Sequence, residues 1–355
     1  MRWLLFLSLA SAAVTGPSPV EVKATVATEA VPGDADDPAL WVNSKDPAQS
    51  VVVGTDKASA AGGLYVFGLD GRIRQRITPL ERPNNVDIEY GIAPGVDIAA
   101  TTERGAQRLR VFRIGAVGLT DISPPADVKV FAGETGARAL AMGISLYRRP
   151  RDGAVFAIVS RKDGPNGAYL WQYRLSLGSD GRVQMKKVRE FGEYSGGEGN
   201  EIEAVAVDDP LGYVYYADEG GGIRKYHADP DHPEAARQLA YFGRDGFGAN
   251  REGIGIYQRR DGTGYVVCTD QLAGSSQYRI FRREGVKGNP HDHGEVLKVV
   301  AGGADSTDGL EVSSANLGRA FPGGIVMAMN SRGKNFLFYR WEDFARTGDR
   351  KLRGR

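Results

Sequence analysis

Residues 254–281 read IGIYQRRDGTGYVVCTDQLAGSSQYRIF, three runs of apolar and aromatic residues separated by an Asp261-Gly262 turn and a polar segment. Short alternating runs bounded by turn residues are typical of antiparallel strands. The same order of three runs occurs six times in the chain, and the third run always contains an aromatic residue. These aromatic residues are spaced 45 to 61 positions apart and are Phe67, Phe112, Tyr173, Tyr226, Phe281 and Tyr339.

Six repeats of three or four strands predict an all-β chain folded as a six-bladed β-propeller. A single sheet cannot bury both of its faces, so neighbouring blades must stack on one another. The alternative is a pair of β-sandwiches in which the spacing is coincidental, but the repeated order of three runs favours the propeller. We place this domain at residues 20–350.

The composition excludes several classes of protein. The 355 residues include 45 Lys and Arg against 44 Asp and Glu, which gives a net charge of +1. A protein whose main partner is a nucleic acid usually carries a basic excess, so we expect no such partner. The hydrophobic content of 41% is enough for a packed core, and the 48 glycines indicate many tight turns between short strands.

The N-terminal residues differ from the rest of the chain. Arg2 precedes an apolar run from Trp3 to Leu9 and then small residues, which is typical of a secretory signal peptide at residues 1–16. A buried N-terminal helix is the alternative. The apolar run is too short for a membrane span. Cys268 is the only cysteine in the chain, so no internal disulfide can form. We expect an exported monomer, periplasmic or secreted, without a membrane partner.

Polar residues recur at one predicted rim of the propeller. In an antiparallel meander, the first strand begins on the rim where the second strand ends, and acids occupy the first-strand start in five of the six repeats. Crowded carboxylates repel one another unless cations lie between them, so this rim predicts bound metal. Ca²⁺ tolerates irregular sets of oxygen ligands better than Mg²⁺ does. A solvated rim is the alternative.

Three basic residues, Lys57, Arg104 and Lys162, lie at equivalent positions near the ends of second strands in consecutive repeats. Cations beside a metal cluster fit a substrate that carries several phosphates, because arginine makes paired contacts to phosphate oxygens. Charge balance against the rim acids is the alternative interpretation.

The sequence lacks the motifs of several classes of phosphatase. Gly274 stands where a cysteine phosphatase built around Cys268 would need arginine, and no G-x-S-x-G segment is present. The segment His291-Asp-His293 could bind a metal, but its Gly, Asn and Pro neighbours favour a surface loop. Water activated by a metal ion remains as the route to hydrolysis.

Seven segments resemble, in order, motifs of the β-propeller phytases and span roughly residues 20–345. Asp34-Ala-Asp-Asp-Pro-Ala-Leu-Trp41 is similar to the opening motif of that family, and Asn84-Asn-Val-Asp-Ile88 is similar to its next hallmark. Weaker matches follow at residues 143–147, 203–209, 252–257, 306–311 and 341–344. The resemblance implies a 3-phytase-like enzyme that needs several Ca²⁺ ions. Such an enzyme releases phosphate stepwise from phytate (myo-inositol hexakisphosphate) by direct attack of a metal-bound water.

The resemblance also implies roles for rim residues, matched motif by motif. Substrate phosphate would be bound by Lys57, Arg104 and Lys162. Structural calcium sites would include Asp37 and Asp308. Calcium and the attacking water would be held by Asp36, Asp163, Glu203, Glu219, Glu252 and Gln271. The catalytic residues among them would be Glu203, Glu219, Glu252 and Asp163.

The sequence departs from the family pattern at three rim positions. The family has an active-site tyrosine where Met142 stands, a histidine where Ala139 stands and an acid where Asn250 stands. Arg138 could supply a compensating phosphate-binding cation.

Two other functional classes stay open. One is a calcium-bound lactonase-type propeller hydrolase, which would not need three basic rim residues. The other is a non-catalytic propeller that binds a partner on its rim.

Overall fold

The computed structural model describes residues 16–197 and 199–354, and within them it confirms the predicted six-bladed β-propeller. Six sheets are arranged in a ring, and each innermost strand packs against the innermost strand of the next sheet. The ring closes where the last innermost strand meets the first. We number the sheets as blades 1 to 6 in chain order.

Two short strands precede the blades, β1 (Val20–Glu21) and β2 (Val26–Ala27). Blades 1 and 2 contain β3 (Ala35–Trp41), β4 (Val51–Asp56), β5 (Gly62–Gly68) and β6 (Ile73–Leu80), then β7 (Pro83–Ala93), β8 (Val96–Glu103), β9 (Arg108–Gly115) and β10 (Gly118–Asp121). Blades 3 and 4 contain β11 (Ala141–Arg148), β12 (Val155–Arg161), β13 (Leu170–Leu177) and β14 (Val183–Phe191), then β15 (Val205–Asp208), β16 (Tyr213–Asp218), β17 (Gly222–His227) and β18 (Ala240–Phe242). Blades 5 and 6 contain β19 (Ile254–Gln258), β20 (Gly264–Asp270), β21 (Gln277–Arg282) and β22 (Lys298–Ala301), then β23 (Leu310–Ser313), β24 (Ile325–Asn330) and β25 (Asn335–Arg340).

The helical segments are short. Turns of 3₁₀ helix lie at Pro47–Gln49 and Gly136–Ala139, and the helix α1 (Trp341–Arg346) follows the last strand. In the ranges that the structure describes, no helix has both the length and the apolar character needed to cross a membrane.

The N-terminal strands complete the last two blades. β2 pairs antiparallel with β25, with Val26 opposite Phe338, and is the fourth strand of blade 6. β1 pairs parallel with β22 and adds a fifth strand to blade 5. Main-chain hydrogen bonds between the two ends of the propeller therefore close the ring.

Apolar side chains fill the six interfaces between neighbouring blades. Between blades 6 and 1, the ring of Phe336 packs edge-on against Phe67, with centroids 5.8 Å apart. Trp341 of α1 stacks on Tyr257 of blade 5, with centroids 3.8 Å apart. Full burial of a large apolar side chain contributes about 1.5–3 kcal/mol, so these interfaces hold the blades together without a disulfide.

The innermost strands enclose a central cavity of about 390 Å³. Burial raises the pKa of carboxyl groups along its wall, to about 6 for Asp87 and to about 9 for Glu89, where repulsion from Asp209 adds to the effect. The lining also reaches Asp37 and Glu252, at the starts of innermost strands. The cavity therefore runs beneath the rim on which the sequence predicts a site.

Three further predictions concern Cys268, the segment at residues 291–293 and the N-terminus. Cys268 is buried and has no disulfide partner among the described residues. The prediction of a surface loop is wrong for His293, whose side chain is buried with Nε2 3.1 Å from the Nζ atom of Lys225. Its Nδ1 atom lies 2.7 Å from the carbonyl oxygen of Arg282 and the ring packs on Phe242, with centroids 4.7 Å apart, which explains why the ring is buried. The predicted signal peptide, except for Gly16, lies outside the described residues.

Candidate active site

The candidate site lies on the rim where innermost strands begin and second strands end. Cross-strand pairs place Ala35 opposite Asp56 and Pro83 opposite Glu103. A β-bulge re-aims side chains at the start of a strand. The first three innermost strands each contain one near this rim, in the intervals Ala35/Pro38, Pro83/Val86 and Ala141/Ile144. Asp36, Asn84 and Met142 lie inside these three intervals and are buried.

Lys57 joins two acids from opposite ends of the propeller sequence. Its Nζ atom lies 2.6 Å from Asp36 Oδ1 of blade 1 and 2.6 Å from Asp308 Oδ2, which precedes blade 6. Gln271, after blade 5's second strand, donates to Asp308 Oδ1. These contacts bring together four residues that the sequence analysis assigned to calcium or phosphate binding.

Arg104 and Glu203 are linked through a buried amide. Arg104 Nη2 donates to Asn84 Oδ1, and Asn84 Nδ2 donates to Glu203 Oε1. Arg104 Nη2 also contacts the sulfur of Met142, which is buried where the family has a tyrosine. The thioether therefore occupies space beside the arginine without adding an acidic hydroxyl.

A second group of acids surrounds Glu219. One carboxylate oxygen from each of Glu201, Glu203 and Glu219 can be chosen so that the three lie within 4.8 Å of one another. Asn250 Nδ2 lies 3.3 Å from Glu219 Oε2 and 3.2 Å from Glu252 Oε1, so this amide bridges two further candidate ligands. The acids of blades 4 and 5 therefore meet on the rim close to Arg104.

Burial and mutual repulsion raise the pKa values of these acids. The pKa of Glu203 rises to about 7, because it is buried and faces Asp36. Burial together with repulsion from Glu201 raises the pKa of Glu219 to about 9. Burial raises the pKa of Asp308 to about 8, although Lys57 opposes this shift. Each ionised acid destabilises its neighbours, so a bound cation would relieve a repulsion that the protein's own lysines only partly offset.

The donor set fits a hard divalent cation. The clustered side chains offer carboxylate and amide oxygens, which are the ligands preferred by Ca²⁺. Glu219 is only 1% exposed, and its Oε1 atom is buried without a hydrogen-bond partner in the described part of the chain. A buried carboxylate oxygen with no donor is costly, and a cation would supply the missing partner.

The structure separates a few predicted residues from this cluster. Asp37 lies below the rim, where it lines the central cavity and accepts a hydrogen bond of 3.0 Å from the backbone of Val86. Asp163 and Arg138 are exposed on the segments beside Lys162. Within the described residues, neither side chain forms a hydrogen bond or an ion pair with a member of the cluster. Their predicted roles therefore have no support from contacts.

Glu201 is not among the site residues predicted from the sequence. Its Oε1 atom lies 2.6 Å from Lys162 Nζ, and it belongs to the acid group around Glu219. Residues two apart in an extended segment point to the same side, so the spacing of Glu201 and Glu203 carried this signal. Asn84 was read only as part of a motif, and its contacts could not be derived from spacing.

Comparisons with known proteins bear on the predicted resemblance. A 3-phytase of Bacillus subtilis (strain 168) is 32% identical over 350 residues, which cover 91% of this chain and 85% of that protein. Among solved structures, the calcium-binding protein regucalcin of Agrobacterium tumefaciens (strain C58) has a TM-score of 0.48 at 11% identity, over 88% of this chain and 87% of that one. The β-propeller domain of Cps50 from Myceliophteria thermophila has a TM-score of 0.45 at 10% identity, over 85% and 82% of the two chains.

The family match extends over nearly the whole length of the chain. The profile of the family described as Phytase matches residues 4–346. This range contains all six blades and every acidic and basic residue of the rim described above. Together with the identity to the Bacillus 3-phytase, the match confirms the resemblance predicted from the motifs. The chain belongs to the phytase family and is a phosphoric monoester hydrolase.

Proposed function

We propose that this enzyme releases phosphate from phytate in a reaction that depends on Ca²⁺ bound at the rim. The observation that carries the proposal is the interleaving of two kinds of side chain. Lys57 and Lys162 each form an ion pair with a rim acid, and Arg104 is tied to Glu203 through Asn84. A substrate phosphate on these cations would therefore lie beside an oxygen-only metal cluster.

The basic residues are suited to different phosphates of one substrate. The side chain of Lys162 is 43% exposed, so it can reach a phosphate at the edge of the rim. Lys57 is more enclosed, at 20%, between Asp36 and Asp308. A ring with a phosphate on each carbon can engage several cations at once, so a polyphosphorylated substrate suits this spacing better than a single phosphate does.

The acids would hold the metal ions and orient the attacking water. We assign the calcium ions at the reaction centre to Asp36, Asp163, Glu203, Glu219, Glu252 and Gln271, and structural calcium to Asp37 and Asp308. Glu203, Glu219, Glu252 and Asp163 form the proposed catalytic set. When bound, calcium neutralises phosphoryl oxygens and lowers the pKa of the attacking water. Lys57, Arg104 and Lys162 hold the phosphate groups in place, and Arg138 is the proposed additional cation.

The test is phosphate release from phytate by the purified chain. We expect no turnover after treatment with a chelator, and recovery on addition of Ca²⁺ at neutral to alkaline pH. The double variant Lys57→Ala, Arg104→Ala should lower kcat/KM by at least about 100-fold, since charge-assisted hydrogen bonds contribute about 1.5–3 kcal/mol each and tenfold corresponds to about 1.4 kcal/mol. The control Arg174→Ala, Lys186→Ala removes the same charge from exposed positions on the outer strands of blade 3. It should leave kcat/KM unchanged.

These assays distinguish a phytase from a lactonase-type hydrolase and from a non-catalytic binding protein. Turnover of lactones that survives Lys57→Ala, Arg104→Ala, without phosphate release, would favour the lactonase-type hydrolase. Absence of both activities in a folded, calcium-binding protein would favour a rim that binds a partner. Phosphate release from phytate that is indifferent to chelation would contradict the calcium requirement.

We also propose export, as periplasmic or secreted enzyme, through the signal peptide predicted at residues 1–16. N-terminal sequencing of the mature protein from its host is the test. A mature protein that begins at Met1 would contradict it. A monomer is expected, and light scattering of the purified protein measures this.

A further inference from the structure

We propose that Asn84 is a positioning residue, which fixes the phosphate-binding Arg104 and the calcium-binding Glu203 relative to each other. The inference rests on the proposed function for the roles of those two residues. What it adds is that one buried carboxamide couples the binding of a phosphate anion to the binding of a calcium cation on this rim.

The carboxamide of Asn84 has partners of opposite charge. Its side chain is completely buried at the start of β7. Its Oδ1 atom accepts from Arg104 Nη2, and its Nδ2 atom donates to Glu203 Oε1. The second Nδ2 hydrogen is donated to Asn85 Oδ1, at 2.7 Å. Oxygen faces the cation and nitrogen faces the anion, so the assignment of the amide is fixed by its neighbours.

No other side chain of this size meets both requirements. A carboxylate accepts from arginine but cannot donate to Glu203, and an aliphatic group does neither. Buried polar groups that lose a partner are costly, most of all when the remaining group is charged. An amide at this position therefore keeps both charged groups in place without adding a charge of its own.

The same bonds leave specific atoms free for ligands. Arg104 Nε donates to the carbonyl of Ala141, at 3.3 Å, and Nη2 is taken by Asn84 and Met142. Within the described residues Nη1 has no hydrogen-bond partner, so this donor remains for a phosphate oxygen. Asn84 engages only Oε1 of Glu203, which leaves the second carboxylate oxygen for a cation.

Two substitutions separate the two halves of the coupling. Asn84→Leu keeps the size and removes both bonds. Asn84→Asp keeps the shape and the acceptor for Arg104 but loses the donor to Glu203. The control is Asn335→Leu, because Asn335 also makes two side-chain hydrogen bonds, to Thr28 and Asn330, away from Arg104 and Glu203. Each full-length variant is assayed for phytate KM and kcat, inhibition by inorganic phosphate, calcium titration by calorimetry, and Tm.

For Asn84→Leu we expect the phytate KM, the inhibition constant of phosphate and the half-saturating calcium concentration each to rise about tenfold, as loss of a bond to a charged group predicts. For Asn84→Asp we expect weaker phosphate binding, because the new carboxylate offsets the charge of Arg104. Calcium binding should become tighter in that variant, because a further anion joins Glu203. Asn335→Leu should lower Tm and change none of these binding constants.

Two results would overturn the inference. One is an Asn84→Leu protein whose phosphate and calcium constants stay within twofold of the parent while Tm falls as in the control, since that is the behaviour of a purely structural residue. If the leucine variant does not fold, wild-type values of both constants in Asn84→Asp overturn it equally. Lack of phytate turnover by the parent would refute the proposed function instead, because the phosphate and calcium titrations do not require turnover.

Discussion

A single methyl group at Gly143 should disable the rim, because this glycine touches the backbone that carries Glu203. A Cβ atom added at Gly143 would lie 1.6 Å from the carbonyl oxygen of Glu203 and 2.8 Å from its carbonyl carbon. The backbone nitrogen of Gly143 is held by Ser160 Oγ at 2.9 Å, so the strand cannot simply retreat. The substitution Gly143→Ala must therefore push the start of blade 4 away from blade 3.

The size of the effect follows from ordinary contact distances. Carbon and oxygen atoms that are not bonded approach to about 3.3 Å, so the clash requires a displacement of about 1.5 Å or more. The obstacle is backbone of the neighbouring blade and not the end of a flexible side chain. Overpacking of this kind costs about 1–3 kcal/mol, and a misplacement of about 1 Å in a reacting site can cost about 100-fold in rate.

The measurement is kcat/KM for phytate together with the calcium titration and Tm. We expect Gly143→Ala to lose about 100-fold in kcat/KM and to need more calcium for half-saturation. Gly115→Ala is the matched control, because Gly115 has no atom within 4 Å of an added Cβ and no positive φ. A Gly143→Ala protein with parental kcat/KM and calcium affinity would refute the claim that this close approach positions Glu203.

Three further predictions concern charge and packing. After chelation, Tm should fall as pH rises from about 5 to 9, because Glu203, Asp308 and Glu219 have folded-state pKa values raised to about 7, 8 and 9. The folded state then binds more protons than the unfolded state, so its stability decreases as these acids lose their protons. A Tm that rises between pH 5 and pH 9 in thermal melts would contradict this prediction. Glu219→Gln should raise the half-saturating calcium concentration about tenfold, the equivalent of ~1.4 kcal/mol, and an unchanged calorimetric titration would argue against Glu219 as a ligand. Trp341→Ala should cost about 3–5 kcal/mol of stability in denaturant unfolding while leaving calcium affinity unchanged; a shift in that affinity would show that the packing around Trp341 is coupled to the rim.

The inner part of each blade could be predicted from the sequence because burial leaves a strong pattern there. In blade 1, β4 and β5 are buried at every residue, which produces the continuous apolar runs counted in the repeat. The outer strands carry a weaker signal. β6 has no fully buried residue before Leu80 and β18 has only three residues, so neither stands out from a loop. The fourth strand of blade 6 comes from β2, at the opposite end of the chain, and no local pattern reports such a partner.

The position of the candidate site was predictable for a topological reason, whereas its contacts were not. The order of strands in a meander is enough to place Asp36, Glu203 and Asp308 on one rim. The bridge of Lys57 between Asp36 and Asp308 depends on how blade 6 meets blade 1. The contacts of Asn84 depend on the bulge at the start of β7, which shifts the strand pairing between Pro83 and Val86. Bulges and ring closure are three-dimensional properties, so residue spacing alone could not reveal these contacts.

The rim acids reduce the stability of the fold, and the apolar interfaces between the blades offset this loss. Carboxyl groups whose pKa values are raised by burial and repulsion reduce stability whenever they ionise, and the candidate site concentrates several of them. The apolar clusters lie between the blades and draw on side chains along the strands, and in one of them Tyr257 and Trp341 stack with centroids 3.8 Å apart. The propeller can therefore carry an acidic rim that opposes folding, because apolar packing between its blades supplies the free energy that holds them together.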